Sequence, residues 1–246
     1  MMTRVLLAAA LLSGLASAQS RTPVLVELFT SESCSSCPPA DAVLARLDRE
    51  QPIPNAEVIV LSEHIDYWND TGWRDPFSSP LFSARQQDYG QAMSLKEVYT
   101  PQMVVGGRFH FVGSNWDTAT KAISAATELP HATVKISTRG PDGAAFEVQG
   151  LPAGTKSATL LLAITENGVG FAVTSGENAG RKLTHIGVVR SLVSLGTLDP
   201  KKNGAYTGEA RLNIKPAWNR RNLKLVLFVQ DHDTKRIVGA ASVRLN

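Results

Sequence analysis

The stretch "TSESCSSCPPAD" (residues 30–41) carries the only two cysteines of the chain, Cys34 and Cys37, separated by two serines. Two thiols at this spacing can exchange with other disulfides, hold a soft metal ion, or close a local clip. Residues i and i+3 at the start of a helix bring their Cα atoms into disulfide range with little strain. The amide ends and the dipole of a helix N-terminus also favour a thiolate. On this reading Cys34, nearer the strand end, is the exposed nucleophile, and Cys37 is the resolving thiol. Pro38 and Pro39 each disfavour the α conformation in the residue before them. The regular helix is therefore expected to begin at one of these prolines, with Cys34 one turn outside it.

The residues able to assist lie at strand ends. Glu27 interrupts the apolar run "VLVELF" (24–29), and "SEHIDYWNDTGWRDPFSSP" (62–80) is too long and aromatic for a plain connection. If 24–29 pairs in parallel with 57–62, both strands finish at one sheet edge, where open α/β sheets bind ligands. His64 and Asp66 then join the edge of Cys34, with Tyr67, Trp68 and Trp73 as a lid, a binding wall or packing for the loop. Cys34, Cys37 and His64 also make a three-ligand set suited to copper(I) or zinc. His110, His131 and His232 have no partners at useful spacing and read as surface or turn residues.

Strand and helix signals alternate from Pro23 to about Leu129. Ala40, Val43, Leu44 and Leu47 recur at helical spacing, and "EVIVLS" (57–62) reads as a second buried strand. Ser79-Pro80 has the form of an N-cap followed by a first-turn proline, leading a helix with Phe82, Arg85, Tyr89 and Met93 on one face. "QMVV" (102–105), a Gly-Gly turn and "RFHFV" (108–112) predict a hairpin. A helix over 114–128 follows, with Ser114 and Asp117 spaced like a capping box. The order β-α-β-α-β-β-α implies a mixed sheet with flanking helices. From Ala132 to the end, eight short strand-like runs separated by turns, "VGFAVT" (169–174) among them, predict an antiparallel β-sandwich. The expected division is a first domain over 23–129 and a sandwich over 132–246. "ENAGRKLTH" (177–185) reads as a polar inter-strand loop touching the first domain, or as a binding loop.

The order strand, C-x-x-C helix, strand, helix, then Thr-Pro leading into a hairpin resembles the thioredoxin superfamily. That resemblance implies a cis Thr100–Pro101 bond lying against the cysteine pair, with Thr100 binding the substrate backbone. "VELFTSESCSSCPPAD", "HIDYWND", "YTPQMVV" and "VGS" are more specifically similar to a family of secreted bacterial proteins catalogued as domain of unknown function 1223. The likeness continues through "GENAGRKLTHIGVVRSL" (176–192) and implies the fold more than an activity. Where thioredoxins carry a buried acid six residues before the first cysteine, this chain has Leu28, with Glu27 one position earlier.

The composition narrows the partners. Arg4, the apolar run "VLLAAALLSGLA" and Ala16-Ser17-Ala18 form a secretory signal over residues 1–18, cut before Gln19. Cleavage there leaves 228 of the 246 residues. Those 228 carry 24 basic against 22 acidic residues, and no basic run is interleaved with aromatics, which argues against nucleic acid. No later apolar stretch is long enough to span a bilayer. Three classes of function stand: a periplasmic or secreted thiol–disulfide oxidoreductase, a copper(I) or zinc carrier, and a binding module with a structural disulfide. The first is preferred. It needs no cofactor beyond Cys34 and Cys37, helped by Thr100 and Pro101, with Glu27, His64, Asp66 and Trp68 as accessories. Its partners would be secreted protein thiols and a redox partner.

Overall fold

The computed structural model describes residues 21–201 and 205–245. The secretory signal expected over 1–18 lies outside the described residues. Strand β1 (Thr22–Thr30) runs parallel to β2 (Ala56–His64), and their last paired residues are Thr30 and His64. Helix α1 (Pro38–Glu50) connects them, burying Ala40, Leu44 and Leu47 as its helical spacing requires. It stops at Gln51, whose left-handed backbone sends its N–H to Leu47, while its side chain bonds both backbone groups of Val58 on β2.

Helix α2 (Pro80–Ala92) begins as expected, with the Ser79 hydroxyl accepting from Leu81 N–H. Strands β3 (Gln102–Val105) and β4 (Phe109–Val112) form the hairpin. Gly106 and Gly107 turn it with φ of 60° and 62°, a pair of angles that favours glycine twice. Helix α3 (Trp116–Thr127) is capped one residue later than the capping-box pattern suggests. Asn115 accepts from Thr118 N–H, which places Asp117 in the first turn rather than opposite Ser114.

Seven strands follow: β5 (Thr133–Thr138), β6 (Gly143–Gln149), β7 (Ala158–Glu166), β8 (Val188–Leu198), β9 (Tyr206–Arg211), β10 (Leu223–Asp231) and β11 (Ile237–Arg244). "VGFAVT" is not among them; Val169 and Ala172 make only isolated bridges to His185 and Lys182. The expected division near residues 129–132 is not a boundary of the sheet. One eight-stranded mixed sheet runs in the order β11-β10-β7-β8-β2-β1-β3-β4, and β5-β6-β9 forms a second layer. The join is the parallel step from β8 to β2, where Ser62 N–H donates to Gly187 at 2.7 Å.

The cores explain why the halves do not part. One face of β1 and β2 (Val24, Val26, Leu28, Val58, Val60) buries against α1 and α3. Leu25, Phe29, Ile59 and Leu61 on the other face meet Phe82 and Tyr89 of α2. The same core includes Ala163, Val226, Phe228 and Ala240 from the second half. Strand β10, "LKLVLFVQD", supplies both of its faces to cores, with Leu225 and Leu227 turned toward the β5-β6-β9 layer. A strand apolar on both faces is stable only when covered on both.

Candidate active site

The loop between β1 and α1 places the cysteines. Cys34 N–H donates to Ser31 at 3.2 Å, and Cys37 N–H to Cys34 at 3.2 Å. Cys37 is the N-cap of α1, so the helix begins at Pro38 and leaves Cys34 a turn outside it. The two are joined as a disulfide with Cα atoms 5.4 Å apart. The Thr100–Pro101 bond is cis, and the Thr100 carbonyl lies 4.0 Å from Cys34 Sγ. Ser36 Oγ lies 3.3 Å from the same sulfur.

Two expectations about Cys34 are corrected here. It is not exposed: both cysteines have 0% of their surface accessible, and only Ser35 and Ser36 of the motif face solvent. Nor does α1 offer free amides to a thiolate. Pro38 and Pro39 have no N–H, and Ala40 and Asp41 donate theirs to the Cys37 carbonyl. What the helix retains is its dipole.

His64 reaches the loop as expected, but as part of a buried cluster that spans the chain. Its Nδ1 lies 2.6 Å from Asp75 Oδ2, with neither side chain exposed. Asp75 also accepts from Glu32 N–H at 2.8 Å and Phe77 N–H at 2.9 Å. Glu32 bonds Trp73 Nε1 at 3.0 Å and His185 Nε2 at 3.1 Å. Asp41 accepts from Thr30 Oγ1 at 2.9 Å and lies 3.6 Å from His185 Nδ1. The two imidazoles meet edge to face at 4.8 Å. His64 Nε2 and His185 Nδ1 have no hydrogen-bond partner. Among the described residues no group of three or more His, Cys, Asp or Glu side chains is disposed to hold a metal ion.

Burial alone would lower the His64 pKa, but the charge and hydrogen bond of Asp75, with Asp41 and Glu32 behind it, outweigh that and raise it. For Asp75, burial pushes upward, but the charge and hydrogen bond of His64 together with the Glu32 and Phe77 amides outweigh it, so the net shift is down. Burial raises Asp41 despite the pull of His185 and His64. A raised histidine contributes stability that is complete below its unfolded pKa, near 6.5, and is lost as pH climbs through the folded value. A lowered aspartate contributes above about 3.9 and loses its share as pH falls. The His64–Asp75 pair therefore stabilises most between these limits. On the alkaline side His64 should give a slope of at most about 1.4 kcal/mol per pH unit, one proton's worth. Urea midpoints from pH 5 to 9 should fall more steeply in the parent than in His64→Asn, and equal slopes in the two would rule His64 out as a source.

The remaining accessories lie elsewhere. Glu27 belongs to the α2 face of β1, where Arg85 Nε donates to it at 2.7 Å and the Tyr89 hydroxyl at 2.5 Å. Asp66 is a loop anchor, accepting from Ser83 Oγ on α2 at 2.5 Å. Trp68 packs into the α2-side core, while Tyr67 bonds both Gln86 and the Thr100 hydroxyl. Reading the sequence did not find Glu32, Asp41, Asp75, His185 or Asn178. The one signal was that "ENAGRKLTH" holds a histidine and an asparagine on a loop without strand character.

Residues 25–230 match the profile of the family described as "Protein of unknown function (DUF1223)", and the chain belongs to that family. A protein from Agrobacterium tumefaciens, solved by X-ray crystallography in a structural-genomics programme, is 26% identical with a TM-score of 0.76. That match covers 93% of this chain and 97% of that one. A domain of the outer membrane lipoprotein Omp28 from Porphyromonas gingivalis is 12% identical with a TM-score of 0.29, covering 48% of this chain and 90% of the domain. No curated protein matches.

Proposed function

We propose that this family member is a thiol–disulfide oxidoreductase of the periplasm or extracellular space, built on a thioredoxin-like first half. The observation that carries the reading is the Cys34–Cys37 disulfide set before α1 with the Thr100 carbonyl 4.0 Å from Cys34 Sγ. A disulfide also suits the oxidising compartment to which the N-terminal signal reading points. No helix among the described residues is long and apolar enough to cross a membrane.

In the oxidising direction a substrate thiolate attacks Cys34 Sγ, the Cys34–Cys37 bond breaks, and Cys37 leaves as a thiolate. A second substrate thiolate then attacks the substrate sulfur of the mixed disulfide and releases Cys34. The substrate gains a disulfide and loses two electrons, which the cysteine pair now holds as two thiols. The reverse sequence reduces a substrate. The metal-carrier alternative has less to support it, because both sulfurs are spent on the Cys34–Cys37 disulfide and no group of three or more His, Cys, Asp or Glu among the described residues is disposed to hold a metal ion.

The test is equilibration of the metal-free protein with mixtures of reduced and oxidised glutathione, read by thiol labelling. The expected midpoint lies above about −300 mV, the bound below which structural disulfides typically fall. A pair that remains oxidised at every glutathione ratio would make the disulfide a brace and overturn the reading.

A further inference from the structure

We infer that Asn178 is the positioning residue of the cysteine loop, delivered to it from the second half of the chain; the inference rests on the thiol–disulfide reading. The segment between β7 and β8 leaves the sheet, and its own backbone bonds shape it. Val173 N–H donates to Arg181 at 2.9 Å, and Gly180 N–H to Val173 at 2.8 Å. Ser175 Oγ ties it to the Gly72 carbonyl at 2.5 Å. At its tip Asn178 is fully buried. Its Nδ2 donates to the Glu32 carbonyl at 2.8 Å and to the Cys34 carbonyl at 2.9 Å. Its Oδ1 accepts from Arg181 at 2.8 Å, which fixes the orientation of the amide. The neighbouring Glu177 carboxylate accepts from Ser35 N–H at 3.0 Å.

Residues 177 and 178 therefore hold three backbone groups of the motif: Glu32 C=O, Cys34 C=O and Ser35 N–H. Buried carbonyls need such partners, and none of these three bonds involves a sulfur. The clamp can persist when the disulfide opens. A reduced loop still held at Cys34 keeps its two thiols near bonding distance, which raises their effective concentration toward each other. Without the carboxamide the reduced loop samples more conformations and ring closure becomes less favourable. Asn178 thus makes the disulfide harder to reduce, by acting on backbone rather than on either thiol.

The experiment compares the full chain with Asn178→Leu, similar in size but without donors, and with Arg181→Met, which removes the donor to the amide oxygen. Each is equilibrated with glutathione, and the unfolding midpoint of the oxidised form is recorded beside it. Asn178→Leu should lower the equilibrium constant for disulfide formation about tenfold, a rise of about 30 mV for a two-electron couple. Arg181→Met should shift it less, in the same direction. A merely structural asparagine would lower the unfolding midpoint and leave the constant of the folded protein unchanged. A constant within twofold of the parent in Asn178→Leu overturns the inference while leaving the proposed chemistry intact. If that variant does not fold, an unchanged constant in Arg181→Met overturns it. A parent disulfide that glutathione cannot reduce removes the proposed function itself.

Discussion

Arg85→Met is expected to lower the free energy of unfolding by about 3–5 kcal/mol, the usual result of deleting one partner from a buried ion pair. Arg85 lies within 2.6 Å of Glu27 and 3.4 Å of Glu63, and neither carboxylate has any exposed surface. It also donates to Gln230 on β10 at 2.9 Å and to Tyr89 at 3.0 Å, so one guanidinium ties α2, β1 and the second half together. Burial works against its charge, yet Glu27, Tyr89 and Glu63 hold its pKa above the ordinary value. The methionine variant strands Glu27 in an apolar core. Urea denaturation at pH 7 measures the loss. A loss below about 1 kcal/mol, the range of an exposed pair, would show that water reaches the carboxylates.

Glu63 supplies an internal check on that result. Neither of its oxygens makes a hydrogen bond. Burial, then the Glu27 charge, drive its pKa well above the ordinary carboxylate range in spite of Arg85. A raised acid contributes stability that is complete below about 4.3 and declines as pH rises through the folded pKa. Glu63→Gln keeps the shape without the ionisation, so it should help more at pH 8 than at pH 5. Combining it with Glu27→Gln and Arg85→Met should recover much of the loss, because no charge then remains buried.

The second large effect concerns chemistry. Cys37→Ser is expected to accumulate mixed disulfides with disulfide-bonded substrates, and Cys34→Ser to fall to the background rate of exchange. Cys34 Sγ is the sulfur beside the Thr100 carbonyl and the exposed Ser36, whereas Cys37 caps α1 against two prolines. With both sulfurs covered, attack on the oxidised pair needs a local movement that uncovers Cys34 Sγ. Non-reducing gels and mass spectrometry after mixing each reduced variant with a disulfide-bonded protein read the adducts, the remaining thiolate attacking the substrate disulfide and releasing one substrate thiolate. Adducts at Cys37 in the Cys34→Ser variant, equal in amount to those at Cys34, would reverse the assigned order of attack.

The sequence by itself determined what depends on neighbours along the chain. Helical spacing placed the buried stripe of α1, Ser79-Pro80 set the start of α2, and two glycines fixed the hairpin turn. The period of "VLVELF" and "EVIVLS" marked strands covered on both faces. The cysteine spacing placed both thiols at one helix entrance, with the helix beginning at Pro38 or Pro39, and the structure chose Pro38. Even the α1 amides were foreseeable, since proline has no N–H to offer. The exact cap of α3 was not, because Ser114, Asn115 and Asp117 are all plausible and only packing chooses among them.

Tertiary structure decided the rest, because burial and long-range pairing have no local signature. Nothing near Glu32 reveals that His185, 153 residues away, will lie 3.1 Å from it. Asn178 and Cys34 are 144 positions apart, and Glu27 finds Arg85 across 58. Strand alternation assigned Glu27 and Thr30 to opposite faces of β1 but not the partners waiting on each. The merged sheet follows from the same limit. A strand reads as apolar whether it extends one sheet or founds another, and the choice came from β8 reaching the open edge of β2. Local spacing thus fixed the thiols and their helix, while chain closure supplied the groups that bury, charge and clamp them.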